Sequence, residues 1–306
     1  MPDLRSLSLK QLRAFQAVAR TGSVTQAAQQ LSVTPPAITT HLKTLETLVG
    51  APILERGAEG VSTTALGREL IHAAEEIETV IARAAHRLAA LRSGAEGGIV
   101  LGVVSTGKYF APSIVAAFGK AFPKIDVTLS IGNRETIIAG LERSEYDVAI
   151  MGRPPGHLAF ERVVLGDHPH ILIAPPDHRL VGDPDILPED LLGETFLSRE
   201  DGSGTRLLMG RFLDRLGDGR PFRIVEMGTN ETIKQAVMAG LGVALISAHT
   251  CGAELESGRL VALTAPSLPL IRQWYLLRRS DRPVAEATKT FWSYMENEGR
   301  GLIPRL

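Results

Sequence analysis

A small all-α winged helix-turn-helix at the N-terminus, a long linker helix and a two-lobed α/β domain are predicted from this 306-residue sequence. Three observations carry that fold class. Apolar residues recur at helical spacing in three short segments within the first fifty positions. A proline-free stretch over 67–92 carries one continuous apolar seam. From Ile99 onward, short apolar runs alternate with helical stretches, as in a mostly parallel sheet covered on both faces.

Apolar residues make up 44% of the chain and charged residues 22%, so ordinary cores can form and the length accommodates two or three domains. The formal net charge is −1, which excludes a protein basic along its whole length. The charge is unevenly spread. Within residues 1–68, seven basic side chains (Arg5, Lys10, Arg13, Arg20, Lys43, Arg56, Arg68) face four acidic ones (Asp3, Glu46, Glu55, Glu59), a balance of +3 that leaves −4 for the remainder. That permits nucleic-acid binding at the N-terminal end. Cys251 is the only cysteine, which rules out an intramolecular disulfide and a thiolate-rich metal site; it is expected to be a small buried residue near a turn. Met1-Pro2-Asp3-Leu4-Arg5 leads into a polar helical pattern without a leader's apolar core, and no apolar run reaches bilayer length. The expectation is a cytoplasmic protein without membrane contact.

Leu9, Leu12, Phe15 and Val18 predict a first helix over roughly 9–20, broken at Thr21-Gly22-Ser23. Ser23 caps a short second helix whose Ala27 and Ala28 allow close approach of a neighbour, with Leu31 on the same element. Ser32-Val33-Thr34 makes the turn, and Val33 is expected to plug the core between helices. Thr34 is a good N-cap for a third helix, and Pro35 occupies a position where a missing N–H costs nothing. Ile38, Leu42 and Leu45 form its buried stripe. Its other face presents Thr39, Thr40 and Lys43, with Pro35 and Pro36 at the tip. Short hydroxyl side chains and prolines let a helix enter a major groove closely, where methyl groups meet thymine methyls and hydroxyls reach bases or phosphates; Lys43 suits a phosphate. Pro52-Ile53-Leu54 reads as a short strand, and Arg56-Gly57 opens a wing that returns through Val61, Ser62 and Thr63, with Arg56 near the backbone or minor groove. The DNA-contacting candidates are therefore Thr34, Pro35, Pro36, Thr39, Thr40, Lys43 and Arg56.

In the linker, Leu70, Ala74, Ile77, Ile81, Ala84, Leu88 and Leu91 alternate spacings of four and three, which is a coiled-coil seam. One seam must meet a partner chain or its own C-terminal domain. Beside a DNA-reading module, pairing of two chains through 67–92 is the stronger choice, because it presents two recognition helices to successive turns of an inverted repeat. Ser93-Gly94-Ala95-Glu96-Gly97-Gly98 is the hinge.

The C-terminal part reads as strand 99–103, helix 110–122, strand 125–131, helix 134–140 and strand 147–151. A second series follows, with strands 170–174, 195–197, 222–227 and 243–247, helices after Gly204 and over 230–239, and finally strand 273–277 and helix 284–297. Two α/β lobes joined by crossing strands place a cleft between them, which closes around a solute by hinge motion. Loops at the strand-to-helix transitions supply the candidates. Hydroxyls and helix starts favour an anion, oriented by Thr106, Asn133, Ser203, Thr205 and Thr229, with charge from Lys108, Arg134, Arg153, Arg199 and Arg206.

Signals for catalysis are weak. No dinucleotide or P-loop glycine pattern is present, Gly240-Leu241-Gly242 reads as helix termination, and Ser105 and Ser203 lack a nucleophile elbow. His168, His170 and His178, near Asp167 and Asp177, match no metal-site spacing and read as surface-loop residues. No enzyme, metal or cofactor is expected. A solute-binding protein, or an enzyme with an appended repressor domain, is the alternative class.

The motifs resemble those of the LysR-type transcriptional regulators. The similarity lies in Phe15–Ala19, Gly22-Ser23-Val24-Thr25-Gln26-Ala27-Ala28, Leu31, Thr34-Pro35-Pro36-Ala37, Leu42-Lys43-Thr44-Leu45-Glu46, Gly50, Arg56 and Thr63-Thr64-Ala65-Leu66-Gly67. Ile53-Leu54 stands where the family usually has Leu-Phe, a swap that keeps an apolar pair. The resemblance implies a winged DNA-binding domain over 7–64, a linker and dimerisation helix over 65–93, and an effector-binding domain of the periplasmic-binding-protein type over 94–306. Within that domain, one lobe is expected at about 99–168 and 275–306 and the other at about 169–274. It further implies promoter DNA and RNA polymerase as partners, homodimers that commonly pair into tetramers, and a small-molecule effector. Gly102–Phe110, Phe118–Pro123 and Gly202-Ser203-Gly204-Thr205-Arg206 most resemble regulators of Calvin-cycle carbon-fixation operons, usually activators, which respond to metabolites such as ribulose bisphosphate, phosphoenolpyruvate or NADPH. Relatives controlling sulfur or nitrogen metabolism share parts of this pattern.

Overall fold

The structure is a computed structural model that describes residues 4–57, 60–92 and 96–304. It divides into two compact units, residues 1–84 and 85–306.

The first unit opens with α1 (Leu9–Thr21), α2 (Val24–Gln30) and α3 (Pro35–Val49). Ser8 accepts from the Gln11 N–H while the Gln11 side chain reaches back, a capping box that fixes where α1 starts, and Gly22 closes it in the left-handed conformation. Ser23 caps α2 as expected. Leu12, Phe15 and Val18 of α1, Ala27 and Ala28 of α2, and Ile38 and Leu45 of α3 are buried, and the two alanines allow the close helix approach that the sequence implies.

Two local expectations need correction. Val33 is 43% exposed and plugs nothing. Ser32 takes a left-handed conformation (φ 54°) that turns the chain outward, and the space is filled by Val24 and Leu31 instead. Thr34 is the N-cap residue of α3, but its side chain makes no capping hydrogen bond. Pro35 and Pro36 occupy the first two helical positions, and the next N–H, that of Ala37, bonds the Thr34 carbonyl at 3.0 Å.

The wing is the antiparallel pair β1 (Leu54–Gly57) and β2 (Gly60–Thr63), with Leu54 opposite Thr63. Arg56 lies within β1 rather than opening the loop; its side chain is outside the described residues. α4 (Ala65–Arg92) follows, started by Thr64, whose Oγ1 accepts from the Gly67 N–H at 3.0 Å. The apolar seam of α4 is divided. Leu70 and Ala74 are buried with Leu12, Phe15, Leu45 and Ile53, and Ile71 and Ile77 pack on the same cluster. The opening turns of the seam thus complete the winged unit's own core, because α4 is the element that covers the α1–α3 layer from behind. Farther along, the seam residue Leu88 is 61% exposed, and Val80, beside the seam, is 63% exposed. The Leu91 side chain and hinge residues Ser93–Ala95 lie outside the described residues.

The second unit runs β3 (Gly97–Val104), a 3-10 turn (Ser105–Tyr109), α5 (Ala111–Ala121), β4 (Ile125–Gly132), α6 (Arg134–Glu142), β5 (Val148–Met151) and β6 (Phe160–Ala174). It continues with α7 (Pro188–Leu192), β7 (Thr195–Ser198), α8 (Gly204–Gly217), β8 (Arg223–Glu226), α9 (Asn230–Met238), β9 (Ala244–Ser247), a 3-10 turn (Ala248–Thr250) and α10 (Gly252–Glu256). β10 (Val261–Leu263), β11 (Leu270–Arg279) and α11 (Glu286–Leu302) complete it.

Strand order is β10-β6-β11-β5-β3-β4, with β9 also on β6 and a separate β7-β8 pair. β3 pairs in parallel with β4 and β5, and β7 with β8. All pairings of β6 and β11 are antiparallel, so the sheet is mixed rather than mostly parallel. The reason is geometric. β6 leaves the first lobe for the second, and β11 must return. Leu165 of β6 is buried among Ile99, Phe110, Phe291 and Trp274 of the first core. Leu172 and Ile173, a few residues on, belong to the two clusters of the second lobe. The ladder register shifts between Trp274 and Tyr275, where the lobes meet.

Gly67 gives a test of the winged core. A Cβ added there would sit 2.1 Å from the Ile53 carbonyl oxygen and 3.3 Å from the Phe15 ring. Gly67→Ala is expected to destabilise the winged unit by about 3 kcal/mol, read as an earlier thermal transition with the effector-domain transition unchanged.

Candidate functional sites

The outward face of α3 is built from Thr34, Pro35, Pro36, Thr39, Thr40 and Lys43, and all six are exposed. Ile38 and Leu45 anchor the opposite face, which fixes the helix rotation. Each hydroxyl on this helix bonds back to a carbonyl one turn earlier: Thr39 to Pro35 at 3.1 Å, Thr40 to Pro36 at 2.9 Å, Thr44 to Thr40 at 2.9 Å and Thr47 to Lys43 at 2.8 Å. With its proton so used, a threonine presents a methyl group and acceptor lone pairs outward. Thr44, also exposed, joins this face and was not singled out from sequence.

The second site lies in the cleft between the lobes of the effector unit, a cavity of about 400 Å³. From the first lobe come Ser105 and Thr106 in the turn after β3, Arg134 at the start of α6, and the segment Met151–Gly156 after β5. From the second come Ser203, Gly204 and Thr205 at the start of α8, and Leu207, Leu208 and Arg211 farther along it. The crossing strands contribute His168, His170 and Arg272. Among the described residues the lining therefore holds four guanidinium groups and no carboxylate. Arg134 donates to the Arg153 carbonyl at 3.1 Å. Burial, followed by the charges of Arg153 and Arg211, disfavours its charged form, as expected of a cation lacking a counter-ion.

Of the residues expected from sequence, Thr106, Arg134, Arg153, Ser203 and Thr205 line this cavity. The others are absent from the lining and are engaged elsewhere. Lys108 pairs with Glu231 at 2.5 Å, and the Tyr109 hydroxyl donates to the same carboxylate across the lobes. Asn133 caps α6, accepting from the Thr136 N–H at 2.9 Å. Thr229 caps α9 through the Thr232 N–H at 3.1 Å. Arg206 pairs with Glu226 and lies 3.3 Å from Asp201.

Arg199 is buried, held by Glu200 through bonds of 2.7 and 2.8 Å; it also donates to Asn230 and, at 3.1 Å, to Ser105 Oγ. It therefore positions a pocket hydroxyl from behind. The physical reason is common to all five: a helix start or a nearby acid satisfies the side chain locally, so it is not left to point into the cleft.

Sequence reasoning missed Arg211, Arg272, His168 and His170. For Arg211 the signal was its place one further turn along α8 on the face of Gly204 and Leu207. The histidines, read as surface-loop residues, are buried in β6; their i, i+2 spacing was the strand signal. His178 instead pairs with Glu194 at 3.2 Å. Cys251 is buried, which pushes its thiol up to about 12, and its Sγ donates towards the Ser247 and Ala248 carbonyls. Among the described residues, no group of three or more His, Cys, Asp or Glu is placed to hold a metal, and no helix is long and apolar enough to cross a membrane.

Residues 92–300 match the family described as the LysR substrate binding domain, and residues 9–68 match the bacterial regulatory helix-turn-helix protein of the lysR family. The chain belongs to the LysR family of transcriptional regulators. It is a DNA-binding regulator with a ligand-responsive effector domain, of the CbbR-like subgroup, and not an enzyme. It is 46% identical over 300 residues to the HTH-type transcriptional regulator CbbR of Xanthobacter flavus, covering 98% of this chain and 90% of that protein. It is 37% identical over 300 residues to a RuBisCO operon transcriptional regulator of Allochromatium vinosum, covering 98% and 99%. The effector unit is similar to the CcmR regulatory domain of Synechocystis PCC6803 solved in complex with 2-PG, with a TM-score of 0.63 and 32% identity over 66% of this chain and 97% of that one.

The Arg199 network gives a test of how this LysR effector unit is held. Arg199→Met leaves the half-buried Glu200 and the buried Asn230 without their cation. It is expected to cost about 2 kcal/mol and to raise amide exchange in the 199–206 segment, measured by hydrogen exchange.

Proposed function

We propose that this regulator activates a carbon-fixation operon of the RuBisCO or Calvin-cycle type in response to a small anionic metabolite bound between the effector lobes. The observation that carries the reading is the cleft with four guanidiniums and no carboxylate among its described lining residues, in a chain of the CbbR-like subgroup. Arg134 is half-buried and Arg153, Arg211 and Arg272 are exposed at the cleft, and four like charges converging on one space favour an anion between them. The start of α8 adds oriented N–H groups beside Ser203 and Thr205. A cavity of about 400 Å³ suits a phosphorylated or carboxylated acid better than a dinucleotide such as NADPH.

In this reading residues 7–64 bind DNA, 65–93 join two chains, and 94–306 sense the ligand. Thr34, Pro35, Pro36, Thr39, Thr40 and Lys43 enter the major groove, and Arg56 approaches from the wing. Pairing uses the later part of α4, where Val80 and Leu88 are exposed, since its first turns are committed to the winged core. Dimers associate into a tetramer through the effector units. The ligand acts through its difference in affinity for two arrangements of the assembly, which alters promoter bending and RNA polymerase contact.

Mapping bound DNA across the genome tests the target, with occupancy expected upstream of a carbon-fixation operon; occupancy confined to other pathways would refute that part. On a cognate site, Thr39→Ala should weaken specific binding about tenfold while leaving binding to random DNA unchanged. Lys43→Ala should weaken both and lower the salt-dependence slope by about 0.9 per chain. For the cleft, Arg211→Gln should weaken binding of an activating anion about tenfold, measured by calorimetry on the full chain.

A further inference from the structure

Part of the cleft wall is made of two imidazoles. His168 and His170 stand two residues apart on β6, and His168 is the ladder partner of Arg272 on β11. Both residues are part of the cavity lining, and both are buried. The His168 ring stacks on Trp274 with centroids 3.8 Å apart at 14°, and lies 4.3 Å from the His170 ring. His168 Nε2 shares a hydrogen bond with Ser247 Oγ of β9 at 3.0 Å, and His170 Nδ1 lies 3.2 Å from the His168 carbonyl. Trp274 is the residue at which the β6–β11 register shifts. These rings therefore touch both the ligand space and the crossing point of the lobes.

The groups that face the pair are cationic or neutral. Arg272 comes from β11, Arg134 and Arg153 from the first lobe, and Arg211 from α8. His249, from the turn after β9, has its centroid 6.1 Å from that of His168. Asp167, the adjacent acid, belongs to the alternate face of the strand and accepts from Gln273 at 2.7 Å. These surroundings keep both rings neutral. Burial pushes His168 well below its ordinary value, and His170 and His249 add to this. Burial likewise brings His170 to about 4, although the carbonyls of His168 and Leu270 both favour its charged form. An arriving anion supplies the missing opposite charge, which favours the imidazolium.

We propose that His168 and His170 are anion-contacting residues of the cleft that take up a proton when the ligand arrives, so that effector binding is coupled to pH and to the ring stack at the lobe crossing. The inference rests on the reading of the cleft as an anion site. The proton comes from solvent, occupies the ring nitrogen that lacks one, and returns to solvent when the ligand leaves. A group that gains a proton on binding makes binding tighter as pH falls and weaker as pH rises.

The test uses the full chain with sulfate, which stays doubly charged across the neutral range. Affinity is read from tryptophan fluorescence, and proton exchange from an indicator dye in weakly buffered solution. Sulfate affinity is expected to be about tenfold higher near pH 5.5 than near pH 7.5, with net proton uptake on binding. Arg211→Gln should diminish binding and uptake together. His168→Gln/His170→Gln should bind sulfate with an affinity that no longer follows pH; if that variant does not fold, the dye measurement on the unsubstituted chain decides alone. Saturable binding with equal affinity across this range and no proton uptake would overturn the inference while leaving the anion site in place. No saturable sulfate binding at any pH would overturn both.

Discussion

Two strands, β6 and β11, each belong to two hydrophobic cores, and much of the effector unit follows from that. A strand that starts among Leu165 and Trp274 and ends among Leu172 and Ile173 cannot be withdrawn from either lobe. The lobes are thereby tied by paired backbone rather than by a loop. The ladder changes register in the short interval where the strands pass from one core to the other. The same interval places His168, His170 and Arg272 in the wall of the cleft. The cleft wall and the lobe crossing are consequently built from the same residues.

The cleft is also a place where like charge gathers. Arg134, Arg153, Arg211 and Arg272 converge without an acid among the described lining residues, whereas the cations around them are neutralised. Lys108 has Glu231, Arg199 has Glu200, Arg206 has Glu226, and the buried Lys234 lies 3.0 Å from Glu254. The contrast separates scaffold from site. The paired cations are neutralised locally, whereas the set lining the cleft has no acid beside it in the described lining. The pairs Lys108–Glu231 and Arg199–Ser105 bridge the two lobes.

In the winged unit the governing constraint is close approach. Ala27 and Ala28 bring α2 onto its neighbours, and Gly67 lets α4 pass against the Ile53 carbonyl. α4 then spends its first turns on this core, and farther along its seam Leu88 is exposed. The outward face of α3 inherits its rotation from this packing. Pro35 and Pro36 start α3 without N–H groups to satisfy, and the back-bonded threonines leave methyls and acceptors outermost.

The amino-acid sequence by itself determined the elements whose signals are local. Helical spacing marked α1 to α3 and α4, Ser23 marked the start of α2, and the alternation of apolar runs with helices marked the two-lobed α/β unit. It also indicated Thr106, Arg134, Arg153, Ser203 and Thr205, because loops at strand-to-helix transitions lie at the mouth of such a cleft. Only the tertiary structure decided what depends on partners distant in the chain. Strand direction around β6 and β11, the inward turn of His168 and His170, the arrival of Arg211 and Arg272, and the diversion of Lys108, Arg199 and Arg206 to acids all required the fold. Periodicity reports which face of an element is buried. It does not report which other element is packed there, and charge and hydrogen bonding are settled by that neighbour.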